Sequence, residues 1–187
     1  MPTDLPAFPG LTPLPPLDHP ELLAPCTMAA LTSWFAARPD IAPAVGVVAI
    51  DPALADTAAL TEAYGLPPEA SVNCVVVVGK RAGEERVAAL AIRADTRADI
   101  NNAAKRLLDV RKASFMAVDQ AVERSGMEYG GITPPGLPAT WRLLVDHGAT
   151  TRGPAIIGSG VRGGKIVLPG ELLAELPGAE VIDGLAQ

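Results

Sequence analysis

Apolar residues fall along the chain in short runs broken by Gly, Pro and charged clusters, and the runs define its predicted elements. Val75-Val76-Val77-Val78, within Ser71–Val78, is the most β-branched of them and predicts the strongest strand. A polar turn over Gly79–Glu85 and an apolar return over Arg86–Arg93 make the pair a predicted hairpin. Ala44–Ile50 reads as a buried strand, and further strands are expected at Ala113–Phe115, Arg142–Asp146, Ala155–Ile157 and Lys165–Leu168. Helical spacing places Met28, Leu31, Trp34 and Phe35 on one side of Thr27–Ala37, with Pro39 beyond its end. Asp56 is positioned to cap a helix over Thr57–Tyr64 that Gly65 ends. Asp99 precedes a helix carrying Ile100, Ala103, Ala104, Leu107 and Leu108, and Asp119 one that Gly126 stops. A last helix over Gly170–Leu176 leads to a Val181-Ile182 tail. Strands and helices mix without strict βαβ alternation. The expected fold is therefore α+β, a single compact domain with a mixed, mostly antiparallel sheet flanked by helices.

Two segments resist regular structure. Residues 1–20 hold seven prolines, which remove backbone donors and exclude helix. Leu5, Phe8, Leu11 and Leu14 recur there every three residues, so an extended strap could lay one apolar side on the body. We read residues 1–40 as a Pro-rich extension with a helix and 41–187 as the functional domain. The second segment, Gly130-Gly131-Ile132-Thr133-Pro134-Pro135-Gly136, must be a shaped loop.

Composition narrows the class. A hydrophobic content of 49% excludes wholesale disorder, and only seven aromatic residues leave the core to Ala, Val, Leu and Ile. No run of about 18 uncharged apolar residues occurs, so no membrane span is expected. No basic region followed by an apolar run opens the sequence, which argues against a secretory signal. With two cysteines, Cys26 and Cys74, a reducing cytoplasm is the expected location. The net charge of −6 argues against a nucleic-acid partner only until it is divided. Lys80 to Lys165 holds 14 of the 15 Lys and Arg residues and carries +5, while the flanks carry −11. Arg142, Arg152, Arg162 and Lys165 fall near predicted strand ends or turns, where they could ring a pocket.

Several short patterns mislead. Gly158-Ser159-Gly160-Val161-Arg162-Gly163 matches GxGxxG, but the strand Lys165–Leu168 follows where a dinucleotide site needs a helix N-terminus. A hairpin exposing backbone N–H groups to an anion or carbonyl oxygen is what remains of that motif. Asp146 and His147, as strand neighbours, would point to opposite faces and make a poor acid–base pair. Ser159 lacks the wider nucleophile-elbow pattern. Two histidines and two cysteines, widely separated, do not suit zinc, and Cys74 in an apolar strand reads as an inert core thiol.

Taken with its flanks, the glycine loop resembles the YbaK/EbsC family of aminoacyl-tRNA editing domains, similar to the insertion domain of bacterial prolyl-tRNA synthetases. The resemblance spans about residues 45–183, through Ile50-Asp51-Pro52, Val72–Val78, Asp99–Leu108, Lys112–Phe115 and Asp119–Ser125. It runs on through Gly130–Gly136 and Leu143–Asp146, and its most specific element is Gly130-x-x-x-Pro134, followed at spacing by Asp146 and Gly158-Ser159-Gly160. It implies hydrolysis of the ester of tRNA mischarged with a small amino acid such as alanine or cysteine, with the aminoacylated 3′ end as partner and no cofactor or metal. Ester hydrolysis needs a stabilised oxyanion, which backbone N–H groups can supply. Gly130, Gly131, Gly158 and Ser159 are the candidate catalytic positions. Ile132, Thr133, Pro134, Gly136, Asp146, Gly160 and Cys74 are the candidate substrate-binding positions. Low aromatic content implies that tRNA contact rests on phosphates and on the aminoacyl-adenosine pocket rather than on stacking.

One departure matters. Many family members carry a lysine on the strand corresponding to Val72–Val78, and here Cys74 takes its place, with Lys80 and Lys112 the nearest lysines in sequence. Two readings follow: a trans-acting deacylase that uses another cation, or a module that binds aminoacyl-tRNA or an amino acid without turning it over.

Overall fold

A computed structural model describes residues 5–187. Its strands form two sheets that meet at one corner. The smaller holds β1 (Gly46–Ala49), β6 (Pro154–Gly158) and β7 (Gly164–Pro169) in the order β1-β7-β6, all antiparallel. The larger holds β2 (Val72–Arg81), β3 (Glu84–Arg93), β4 (Ala113–Phe115), β5 (Arg142–Asp146) and β8 (Ala179–Ile182) in the order β4-β2-β3-β5-β8. β2 pairs antiparallel with β3 and β4, whereas β3–β5 and β5–β8 are parallel. A parallel bridge between Ser71 and Ile156 joins the two sheets just ahead of β2.

The β2–β3 hairpin is longer than its apolar core predicts. Polar ends from Gly79 to Arg81 and from Glu84 to Arg86 continue the ladder, and the turn shrinks to Ala82-Gly83. Both turn residues have positive φ, 51° and 87°, the left-handed pair that matches strand twist in a two-residue loop.

Helix α1 (Pro25–Ala37) starts two residues earlier than expected, because proline is tolerated in a first helical turn. It drives Leu31, Trp34 and Phe35 into a core shared with both sheets, among them Val145, Ile157 and Leu168. Ahead of it, Phe8 and Leu11 are buried against β1 and α2 (Thr57–Tyr64). Leu14 exchanges two backbone hydrogen bonds with Val47, of 2.8 and 2.9 Å, so the Pro-rich segment covers the outer edge of β1.

Other elements differ from expectation in local form. The segment after Asp99 opens as a π turn, Ile100–Ala104, before the short α3 (Lys105–Leu107). Asp99 still accepts from the Asn102 N–H at 3.0 Å. α4 (Val118–Ser125) begins one residue before Asp119, so Ala117 holds the cap position, and Gly126 ends the helix in the left-handed region at φ 68°. Asp146 closes β5 and caps the short α5 (His147–Thr150), so His147 opens a helix rather than continuing a strand. The expected terminal helix is a 3-10 segment, Gly170–Glu175, and the Val181-Ile182 tail is part of β8. No helix among the described residues is long and apolar enough to cross a membrane.

Candidate active site

Where the two sheets meet, a cavity of about 410 Å³ opens between the start of α2, β2, the β4–α4 segment, the glycine loop and the β6–β7 hairpin. Most of its wall is apolar, from Leu60, Val72, Val76, Met116, Ile132 and Ile156. Its polar groups come from Asp56, Thr57, Ser71, Asn73, Cys74 and Lys165.

Lys165 is the decisive side chain. It lies on β7, whose six residues are all buried, and is itself only 6% exposed. Its Nζ donates to the carbonyl oxygens of Ala55 at 2.8 Å and Gly130 at 3.3 Å, tying the segment before α2 to the glycine loop. Burial pulls the amine down from its ordinary 10.5 to about 8; the Asp56 carboxylate works against this shift and Arg162 adds to it. Asp56 occupies the cap position of α2 but makes no side-chain cap bond, and its carboxylate lies on the cavity wall beside Gly130. An ammonium has three donors, and two are engaged here, which leaves the third without a protein acceptor.

Cys74 sits half-buried on the same wall, and burial pushes its thiol up to about 12. It is protonated at neutral pH and unsuited to act as a nucleophile. Lys80 and Lys112 are exposed and line no part of the cavity. The cation therefore enters from β7, not from β2.

The glycine loop is built for close approach. A Cβ on Gly158 would lie 2.4 Å from the Gly131 carbonyl oxygen, and one on Gly131 would lie 2.9 Å from the backbone of Gly160 and Val161. Gly160 N–H donates to the Gly131 oxygen at 2.8 Å, Gly131 N–H to the Glu128 oxygen at 2.9 Å, and Glu128 N–H to the Gly160 oxygen at 2.8 Å. The Gly131 donor thus closes a turn within its own loop, while those of Gly160 and Glu128 lock the two loops together. Arg162 completes the clamp, with its N–H on the Glu128 carboxylate at 2.6 Å and its guanidinium on the oxygens of Tyr129 and Pro52, both at 3.0 Å.

The candidate positions divide by place. Cys74, Gly130, Ile132 and Gly158 line the cavity. Gly131 is outside the lining and packs on the backbone of Gly160 and Val161. Ser159 is fully buried in the β6–β7 turn, where its hydroxyl donates to the Val161 oxygen at 3.4 Å. Gly136 and Gly160, at φ 92° and 89°, face α1: a Cβ would lie 2.6 Å from the Cys26 backbone or 2.3 Å from the Ala24 side chain. Thr133 is fully buried, and its N–H donates to the Met127 sulfur at 3.4 Å. Pro134 lines a separate apolar groove with Trp34 and Trp141. Asp146 is outside the cavity lining; it accepts from the N–H groups of Gly148 at 2.9 Å and Ala186 at 3.1 Å. Of the four basic residues expected near strand ends or turns, Lys165 lines the cavity and Arg142, Arg152 and Arg162 do not.

The profile of the aminoacyl-tRNA editing domain matches residues 51–176, about two-thirds of the sequence. The chain belongs to this family. The editing-domain fold also appears in solved structures at low identity. The crystal structure of hypothetical protein APE2540 is 23% identical with a TM-score of 0.71, covering 84% of this chain and 99% of that one. A structure described as a proposed trans-editing enzyme for prolyl tRNA synthetase is 19% identical with a TM-score of 0.68, covering 86% and 97%. A scaffold from computational epitope grafting is 17% identical with a TM-score of 0.66, covering 86% and 97%. Comparison with curated proteins returned no match. Within the editing domain, Lys165 and Gly130 line the same cavity and are joined by the 3.3 Å hydrogen bond between them.

Proposed function

We propose that this editing domain acts in trans as a deacylase, hydrolysing the ester of tRNA mischarged with a small amino acid. The observation that carries the reading is the buried Lys165 amine, held against the glycine loop with one donor to spare. As water attacks the ester carbonyl, negative charge grows on its oxygen. A cation already in place in a low-dielectric wall stabilises that charge without reorganising. Two of its hydrogen bonds fix Lys165 before substrate arrives, so it needs no further ordering. A cavity of about 410 Å³ falls near the lower end of ligand-site volumes, which suits a small aminoacyl group on its ribose.

The test is release of labelled amino acid from a panel of tRNAs charged with alanine, serine or cysteine. Wild-type protein should exceed spontaneous hydrolysis on at least one of them, and Lys165→Met should lose roughly 10²–10³ of that rate. Absence of release across the panel overturns the proposal. Saturable binding with an unchanged ester half-life would mark a binding module instead. Because the segment from Lys80 to Lys165 carries +5, binding to intact tRNA should weaken steeply with added salt.

A further inference from the structure

The mouth of the cavity carries aromatic surface that ester hydrolysis does not require. Phe115 is 60% exposed and Tyr129 57%, and both line the opening together with Val118 at 54%. Among the described residues these are the two exposed aromatic rings. Phe8, Trp34, Phe35 and Trp141 are buried, and Tyr64 is half-buried.

Both residues are anchored through their backbones. Phe115 ends the edge strand β4, paired with Val77, and the next residue donates its N–H to the Val76 oxygen at 2.9 Å. Tyr129 precedes the glycine loop, and its carbonyl oxygen accepts from Arg162, whose guanidinium lies 5.8 Å from the Tyr129 ring centroid. Arg162 thus places positive charge against one ring at the mouth. Exposed rings beside positive charge suit a nucleotide better than an apolar protein surface, because a base offers a π face and its phosphate a negative charge.

We propose that Phe115 and Tyr129 form a stacking platform for the base of the terminal nucleoside whose ribose carries the scissile ester. The platform fixes the nucleoside at the mouth while the aminoacyl group enters toward Lys165. This assignment rests on the deacylase reading, and it replaces the expectation that tRNA contact would do without stacking.

The test uses the full chain and two sets of non-hydrolysable probes. One set is 3′-aminoacylamino-3′-deoxyadenosine bearing alanine, serine or cysteine. The other is the same amides on a ribose with hydrogen in place of the base. Titration calorimetry should show wild-type protein binding at least one adenosine compound more tightly than its base-free counterpart. Phe115→Ala and Tyr129→Ala should each weaken the adenosine compound roughly 5- to 150-fold, the usual worth of an aromatic–base stack. Both should leave the base-free compound unchanged, and Tyr129→Phe should bind like wild type. Equal wild-type affinity for the two sets, or equal losses on both in the alanine variants, overturns the platform and leaves the deacylase reading standing. Failure of wild type to bind either set overturns both.

Discussion

Lys165→Met replaces a buried cation by an apolar side chain of similar length, and its consequence for stability has a definite dependence on pH. In the folded protein the Lys165 amine titrates near 8, against an ordinary 10.5, because burial disfavours the charged form. Between these two values the unfolded chain binds more protons than the folded one, so stability rises with pH there. Below pH 8 both states are protonated and the burial cost is at its full value. Over the whole window the group is worth about 3 kcal/mol, and between pH 7 and pH 10 about 2.5 kcal/mol of that is recovered. The methionine variant has nothing to titrate at this position. Urea unfolding of both proteins at pH 7, 8, 9 and 10 isolates the effect, since every other titrating group cancels in the difference. Wild type should gain about 2.5 kcal/mol on the variant from pH 7 to pH 10. The absolute difference at pH 7 also contains the loss of two hydrogen bonds, to Ala55 and Gly130, so the slope is the diagnostic quantity. A difference that stays flat across this range would refute the claim that the amine is held charged against its own burial.

The other predictions concern the loop, the thiol and the capping carboxylate. Gly158→Ala places a Cβ 2.4 Å from the Gly131 oxygen, so it should destabilise the protein by more than about 2 kcal/mol and abolish release, read by urea unfolding and the deacylation assay. Cys74 should resist iodoacetamide at pH 8, reacting roughly a thousand-fold more slowly than an ordinary cysteine, because its thiol is pushed up to about 12; mass spectrometry of the alkylated protein measures this. Asp146→Ala should lower stability by about 1–3 kcal/mol, through loss of bonds to Gly148 and Ala186, while leaving the KM for aminoacyl-tRNA unchanged in protein kept folded.

Local signals in the sequence located most elements. The β-branched run of β2, the helical spacing of α1, and the glycines that end α2 and α4 each act within a few residues, so their outcome is readable from their neighbours. The hairpin turn is shorter than its sequence predicts because the polar strand ends carry no apolar alternation; cross-strand pairing decides there. The glycine loop was legible as a loop, but the duties of its glycines were not. Gly136 and Gly160 face α1, more than 100 residues away in sequence, and only the packed chain reveals what a Cβ would strike. Lys165 was visible as a basic residue near a strand end. Its descent into the cavity depends on the β6–β7 hairpin meeting the start of β2, a contact between distant segments with no local signature.

The docking of α1 against Gly136 and Gly160 carries a consequence for how the protein can be divided. The family match begins at residue 51, yet the glycine loop leans at Gly136 on backbone atoms of Cys26 and Thr27, and the β6–β7 turn leans at Gly160 on Ala24 and Thr27. The start of α1 is thus a buttress for a loop that lies more than a hundred residues downstream. A shortened protein confined to residues 51–176 would keep Lys165 and the whole glycine loop, and lose the wall against which that loop is braced.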